Sequence, residues 1–159
     1  MAEKGVWWSL QPFLDDGPSP FPEGSANRRK QLEMFNGTDT AYALAKKYRV
    51  KTAWGTDTLF DAKTAATQGA QLAKMVRWYT PAEALKMATA DNADLLALSG
   101  LRSPYEGKLG VVEAGVLADL LLVDGDPITD IDLISDPANT FVVIMKDGRI
   151  YKNTVGVRN

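Results

Sequence analysis

The sequence predicts an α/β chain: two strands paired in parallel through a crossover helix, then further helices, then a run of short antiparallel strands. Three observations carry this. Val6–Leu10 and Val50–Trp54 are short, aromatic and β-branched, and a helical stretch lies between them. That β–loop–α–β order favours parallel pairing, because parallel strands need a long crossover whereas antiparallel ones need only a turn. From Gly107 onward the pattern becomes short apolar runs and tight turns, with Lys146-Asp147-Gly148 as a hairpin signal between Phe141–Met145 and Arg149–Tyr151.

Taken in order, Val6–Leu10 is preceded by Gly5 and followed by Pro12, which bounds a buried strand. Trp7 and Trp8 alternate across it, one on each face, and both read first as core packing. Residues 12–27 hold four prolines and two glycines, a long loop of the kind that is often functional or disordered. A helix is expected from about Arg28 to Phe35, interrupted at Asn36-Gly37. Thr38 or Asp39 can cap a second helix whose Ala41, Leu44, Ala45 and Tyr48 share one face. Val50–Trp54 ends at Gly55-Thr56-Asp57. Beyond it, Leu72, Met75, Val76 and Tyr79 share a helix face.

Thr80-Pro81-Ala82-Glu83 is a strong helix start. Thr80 can cap, Pro81 gives up an N–H that would be orphaned anyway, and Glu83 can reach back to the Thr80 amide. That helix gives way near Asp91-Asn92 to a short one stopping at Gly100. Glu113-Ala114-Gly115 separates two strands, Leu109–Val112 and Ala118–Val123, and the tail after Asn153 is expected to fray.

Composition excludes several classes. The chain has 159 residues, 45% of them hydrophobic, enough for one core or one core with an appendage. Net charge is −2, and Arg28-Arg29-Lys30, the densest basic cluster, reads as a solvated helix start and not as a nucleic-acid surface. No apolar run approaches the roughly 18 residues of a membrane span, and residues 1–8 do not resemble an export signal, so the cytoplasm is the default compartment. Histidine and cysteine are both absent, which removes thiol chemistry and imidazole ligands.

For chemistry, Gly55-Thr56-Asp57 places a carboxylate just beyond a strand end, with Gly55 free to turn without a side-chain clash; taken alone, the tripeptide reads equally as a turn or helix cap. Asp124, Asp126, Asp130 and Asp132 do not make a calcium loop, since Pro127 and Ile128 break the oxygen pattern and the downstream Glu is missing. They read as a surface loop. Asp119, in an apolar strand, reads as a structural carboxylate bonded to backbone or turn groups. Lys74, Arg77 and Lys86 read as solvated helix residues.

Four motifs carry a family resemblance: Trp8-Ser9-Leu10-Gln11-Pro12, Trp54-Gly55-Thr56-Asp57, Thr80-Pro81-Ala82-Glu83-Ala84-Leu85, and the tail from Gly107 to Pro127 containing Ala118-Asp119-Leu120. From about residue 3 to 153 the chain resembles the C-terminal part of metal-dependent amidohydrolases, in the branch of imidazolonepropionases and Xaa-Pro dipeptidases. The resemblance implies a partial (β/α)₈ barrel, its last two βα units in residues 1–104, joined to C-terminal strands of a β-sandwich in 105–153, with 154–159 as tail. It makes Val6–Leu10 the seventh barrel strand and Val50–Trp54 the eighth. The other six strands lie outside the resemblance, and with them the His-x-His of strand one, the Lys or Glu of strand four and the histidines of strands five and six.

What the resemblance implies for function follows from barrel geometry, in which reacting groups sit at the C-terminal ends of the strands. Asp57 is then the catalytic carboxylate and a metal ligand, holding one divalent ion (zinc being the usual one in the family) and passing a proton from the attacking water to the departing amine. Gln11 and Phe13, just past the first strand, would touch a small-molecule substrate. One carboxylate is too little to hold catalytic metal, so this chain alone is expected to bind none and to be inactive. It would need a complementing barrel fragment. The rival expectation is a non-catalytic homo-oligomer whose copies cover one another's open strand edges, or a binding module built on the sandwich strands.

Overall fold

The computed structural model describes residues 1–59 and 62–156, in two compact units, Met1–Asp57 and Thr58–Asn159. In the first unit, strands β1 (Trp8–Leu10) and β2 (Thr52–Trp54) pair in parallel, Trp8 opposite Thr52, Ser9 opposite Ala53 and Leu10 opposite Trp54. Both are shorter than the sequence suggests. A 3₁₀ turn at Ala2–Lys4, closed by left-handed Gly5, draws the Val6 amide to the Met1 carbonyl (3.2 Å), so the ladder starts only at Trp8. Trp7 therefore lies outside the strand, and the expected alternation of Trp7 and Trp8 does not apply. Lys51 instead places its ammonium over the Trp7 ring, 5.3 Å from the centroid.

The crossover is one helix, α1 (Ala26–Lys47), without the break expected at Asn36-Gly37 and capped by Ser25, whose hydroxyl accepts from the Arg28 amide (3.1 Å), not by Thr38 or Asp39. A glycine inside a helix costs only about 1 kcal/mol, and the burial that follows Gly37 along the helix offsets it. The buried stripe is Thr38, Tyr42 and Ala45, spaced by four and three, with Tyr42 and Ala45 wholly inaccessible. Of the predicted face only Ala45 is buried; Leu44 and Tyr48 are exposed because the stripe is rotated toward Tyr42. The helix ends in a Schellman arrangement: left-handed Arg49 bonds to the Lys46 carbonyl and Val50 to that of Ala45.

The second unit opens with α2 (Ala62–Ala65) and α3 (Gln68–Ala73), the latter tightening into a 3₁₀ turn at Lys74–Arg77. Leu72, Ala73 and Met75 are buried while Val76 is exposed. The change from 3.6 to 3 residues per turn breaks the face the sequence pattern assumed. In α4 (Pro81–Lys86) the predicted capping box is present: the Thr80 amide donates to Glu83 Oε2 (2.8 Å) and the Glu83 amide to Thr80 Oγ1 (3.3 Å). No break follows near Asp91-Asn92. The chain runs through a π-helical turn, Met87–Asp91, into α5 (Asn92–Ala97), and Lys86 pairs with Asp91 across that wide turn. Gly100 then takes a left-handed conformation and opens the 3₁₀ turn Gly100–Arg102.

Leu109–Val112 is not a strand. Left-handed Gly110 sits so close to the π turn that a Cβ there would lie 2.5 Å from the Thr89 carbonyl oxygen, so this segment packs on a helix where a ladder partner was expected. β3 (Leu120–Val123), β4 (Phe141–Lys146) and β5 (Arg149–Asn153) form an antiparallel sheet in the order β3-β4-β5. The hairpin turn is as the sequence requires, with Asp147 and Gly148 both at positive φ, the geometry of a type I′ turn. Between β3 and β4 lie the 3₁₀ turn Ile131–Ile134 and α6 (Pro137–Thr140), neither foreseen, which bring Ile131, Ile134 and Phe141 into the core with Leu72, Met75, Ala84 and Met87. The predicted fraying at 154 does not begin there, since the Thr154 amide bonds to the Val142 carbonyl (2.8 Å); residues 157–159 of that tail lie outside the described residues.

Candidate functional site

Parallel pairing brings the C-terminal ends of β1 and β2 to one edge. Because Leu10 stands opposite Trp54, Gln11 and Gly55 leave the sheet side by side. A Cβ on Gly55 would lie 4.0 Å from Gln11 Nε2 and 3.9 Å from Ser9 Oγ, so these polar groups share the open side of the strand ends. The Phe13 amide folds back onto the Gln11 carbonyl (2.9 Å), leaving Phe13 and Gln11 half-buried over buried Pro12. Asp57 is exposed, two residues past Gly55.

Its backbone is unusual. Three non-glycine residues among those described have positive φ: Arg49, Asp57 and Asp147. Arg49 closes the Schellman motif and Asp147 belongs to the hairpin turn. Asp57, at φ 53, lies in neither a helix cap nor a hydrogen-bonded turn. Such conformations cost about 1–3 kcal/mol and cluster at functional positions.

The sequence reading missed a second feature of this edge. Arg28, expected to be solvated, has a side chain only 10% exposed and holds the loop after β1. Its Nη2 donates to Asp15 Oδ2 (3.0 Å) while Nη1 lies 2.9 Å from Asp15 Oδ1; Nε donates to Glu23 Oε1 (3.1 Å) and Nη1 to Gln31 Oε1 (2.8 Å). Ser19 Oγ donates to that same Gln31 oxygen (2.6 Å). The Asp15 hydrogen bonds, chiefly, raise the Arg28 pKa above its ordinary value. The available signal was the pair of acids, Asp15 and Glu23, in the loop that precedes a basic helix start.

These residues do not by themselves fit a catalytic metal. Among the described residues no three acidic side chains come together to hold an ion, and catalytic zinc takes three protein ligands. The aspartates of 124–132 serve their own loop, Asp126 Oδ1 accepting from the Ile128 amide (2.9 Å) and Asp130 Oδ1 from the Asp132 amide (3.0 Å).

Asp119 has the structural role its position suggested. It accepts from Lys146 Nζ (2.7 Å) and from the Asp147 amide (2.6 Å), tying the residue before β3 to the β4–β5 turn. The lysine, then the amide, hold the Asp119 carboxyl below its ordinary value, and Asp119 raises that of Lys146. A lowered carboxylate stabilises the fold above its unfolded value, and the contribution is lost as pH falls through the folded one. A raised ammonium contributes below its unfolded value until pH climbs through the folded one. Asp119→Asn is therefore expected to melt lower than the parent at neutral pH, with the gap closing below about pH 4. Thermal melts from pH 3 to 8 read this directly, and a gap that stays constant would disprove it.

The comparisons agree with this architecture. The model of the amidohydrolase family matches residues 27–155, and the chain belongs to that family. Among solved structures, an amidohydrolase superposes with TM-score 0.76 at 25% identity, covering 96% of this chain and 36% of its own. The Aspergillus niger (A. niger) ochratoxinase gives 0.73 at 25% identity over 95% of this chain and 33% of its own. A prolidase crystallised with N-methylphosphonate-L-proline shares the fold at TM-score 0.75 and 22% identity, over 95% and 36%. The chain thus spans about a third of the length of these structures. No curated protein matches it. Among the described residues no helix is long and apolar enough to cross a membrane.

Proposed function

We propose that the chain is the C-terminal share of a metal-dependent hydrolase acting on amide or cyclic C–N bonds of small molecules. In this reading residues 1–104 carry the last two βα units of the (β/α)₈ barrel and 105–153 the C-terminal strands of its sandwich. The observation that supports it best is the placement of Asp57: a strained, exposed carboxylate just past the C-terminal end of a parallel strand, beside the edge where Gln11 presents its amide. There the carboxylate takes a proton from the attacking water and returns it to the departing amine, while Gln11 and Phe13 form part of the substrate wall. The remaining metal ligands have to come from other polypeptide, so the chain alone is inactive.

The test is reconstitution. Co-expression with a segment supplying the first six βα units of a related amidohydrolase, with zinc present, should give turnover of N-acyl amides or Xaa-Pro dipeptides that neither part has alone. Turnover unaffected by Asp57→Ala would refute the site.

One observation favours a second reading, a non-catalytic homo-oligomer. No residue of β3 or β5 is buried, and Leu121, Leu122, Ile150 and Tyr151 are all at least half exposed. Since Leu121 and Leu122 are neighbours on one strand, apolar side chains stand open on both faces of this sheet, which water does not tolerate well. Light scattering on the purified chain separates the two: a stable assembly without reconstituted turnover supports the scaffold, and a folded monomer removes it.

A further inference from the structure

Helix α1 begins against its own electrostatics. Its first turn contains no acid, and Arg28 stands at its third position, where the partial positive charge of the helix end disfavours a cation. The side chain is also nearly buried, which costs free energy unless every donor is met. Both penalties are offset by the loop together with one residue of the helix itself: Asp15 takes the guanidinium fork in two-point geometry, and Gln31, one turn further along α1, links it to Ser19. Glu23 adds a third tie, the weakest, since its side chain is 81% exposed. The loop is thus pinned at residues 15, 19 and 23. The first pin lies two residues past Phe13, whose amide is bonded to the Gln11 carbonyl.

We infer that Arg28 is a positioning residue: its bonds to Asp15 and Gln31 fix the 11–25 loop, and thereby Gln11 and Phe13, at the shared end of β1 and β2. The inference rests on the reading of that edge as the substrate mouth. Arg28 itself touches no reacting atom. Lysine cannot replace it, because a single ammonium lacks the planar fork that bridges Asp15 while also reaching Gln31 and Glu23.

Limited proteolysis of the full chain, read by mass spectrometry, tests the clasp without any turnover. Arg28→Lys and Asp15→Asn should each speed cleavage between residues 13 and 24 roughly tenfold by raising the open population, with cleavage inside α1 and the circular dichroism unchanged. Unchanged loop cleavage would overturn the inference. So would loop and helix cleavage rising together, which would make Arg28 a support of the whole helix. In the reconstituted enzyme the same variants should raise KM about tenfold and leave kcat within a factor of about three; an unchanged KM would also count against it. If no turnover dependent on Asp57 appears, the functional reading fails, while the proteolysis still decides whether Arg28 holds the loop.

Discussion

Replacing Asp57 by glycine is expected to leave the first unit more stable than replacing it by alanine, by about 1 kcal/mol, although both changes delete the carboxylate. The reason is the backbone. At φ 53 an L-residue pays for the approach of its Cβ to the following carbonyl, about 1–2 kcal/mol, and aspartate tolerates this better than alanine. Glycine removes that cost but brings a more flexible unfolded chain, which returns part of the gain. In the reconstituted enzyme both variants should lose turnover together, by roughly 10²–10⁴-fold if the side chain moves the proton. Urea melts of the isolated chain and rate measurements on the complex make the pair. Equal stability of the two variants would show that the left-handed conformation is not enforced. Turnover surviving in either would take the proton-transfer role away from this residue.

The outcome bears on what a local carboxylate means. Asp57 and Asp119 both follow apolar runs, and sequence pattern distinguishes them only weakly. Asp119 is consumed by Lys146 and the Asp147 amide, as a structural carboxylate should be. Asp57 stands exposed on a strained backbone at the edge of a parallel pair. That contrast, more than the Gly-Thr-Asp tripeptide, separates a candidate reacting group from a structural one.

How much of this was legible in the sequence depends on the range of the forces involved. The Thr80–Glu83 capping box and the Asp147-Gly148 turn were readable because each is decided by residues within four positions of one another. Parallel pairing of the strands on either side of α1 was readable from element order. The break expected in α1 was not real, since the burial of Thr38, Tyr42 and Ala45 depends on neighbours that a local glycine signal does not register. The Leu109–Val112 strand failed for a related reason: a short apolar run forms a strand only if a partner edge is available, and here Gly110 packs against the π turn instead. Arg28 was misread because charge runs are normally solvated; only the fold reveals that Asp15, thirteen residues away, meets it. At the site, parallel pairing sets Gln11 beside Gly55, whereas the roles given to Asp57, Gln11 and Phe13 came from the family resemblance and not from local pattern.

The largest stability effect is expected at Gly69, and its sign is the opposite of what helix propensity gives. Alanine is better than glycine inside a helix by about 1 kcal/mol, so Gly37→Ala in α1, where an added Cβ would meet nothing within 4 Å, should stabilise the first unit by up to about that amount. The same change at Gly69 in α3 would place a Cβ 1.9 Å from the Ile134 carbonyl oxygen and 2.8 Å from its carbon. Neither atom belongs to a flexible side chain that can swing aside. To admit the methyl, α3 must move off the Ile131–Ile134 turn, loosening the burial of Ile131, Ile134 and Leu72 that this close approach allows. Overpacking of this kind costs typically 1–3 kcal/mol, and its position against backbone puts it near the upper end, about 3 kcal/mol. For a chain of this size that is a fall of roughly 10 °C in Tm. Calorimetry on the two single variants should therefore give shifts of opposite sign. A Gly69→Ala protein as stable as the parent would show that α3 and the 131–134 turn do not approach this closely, and the packing of the second unit's core would have to be redrawn from that contact outward.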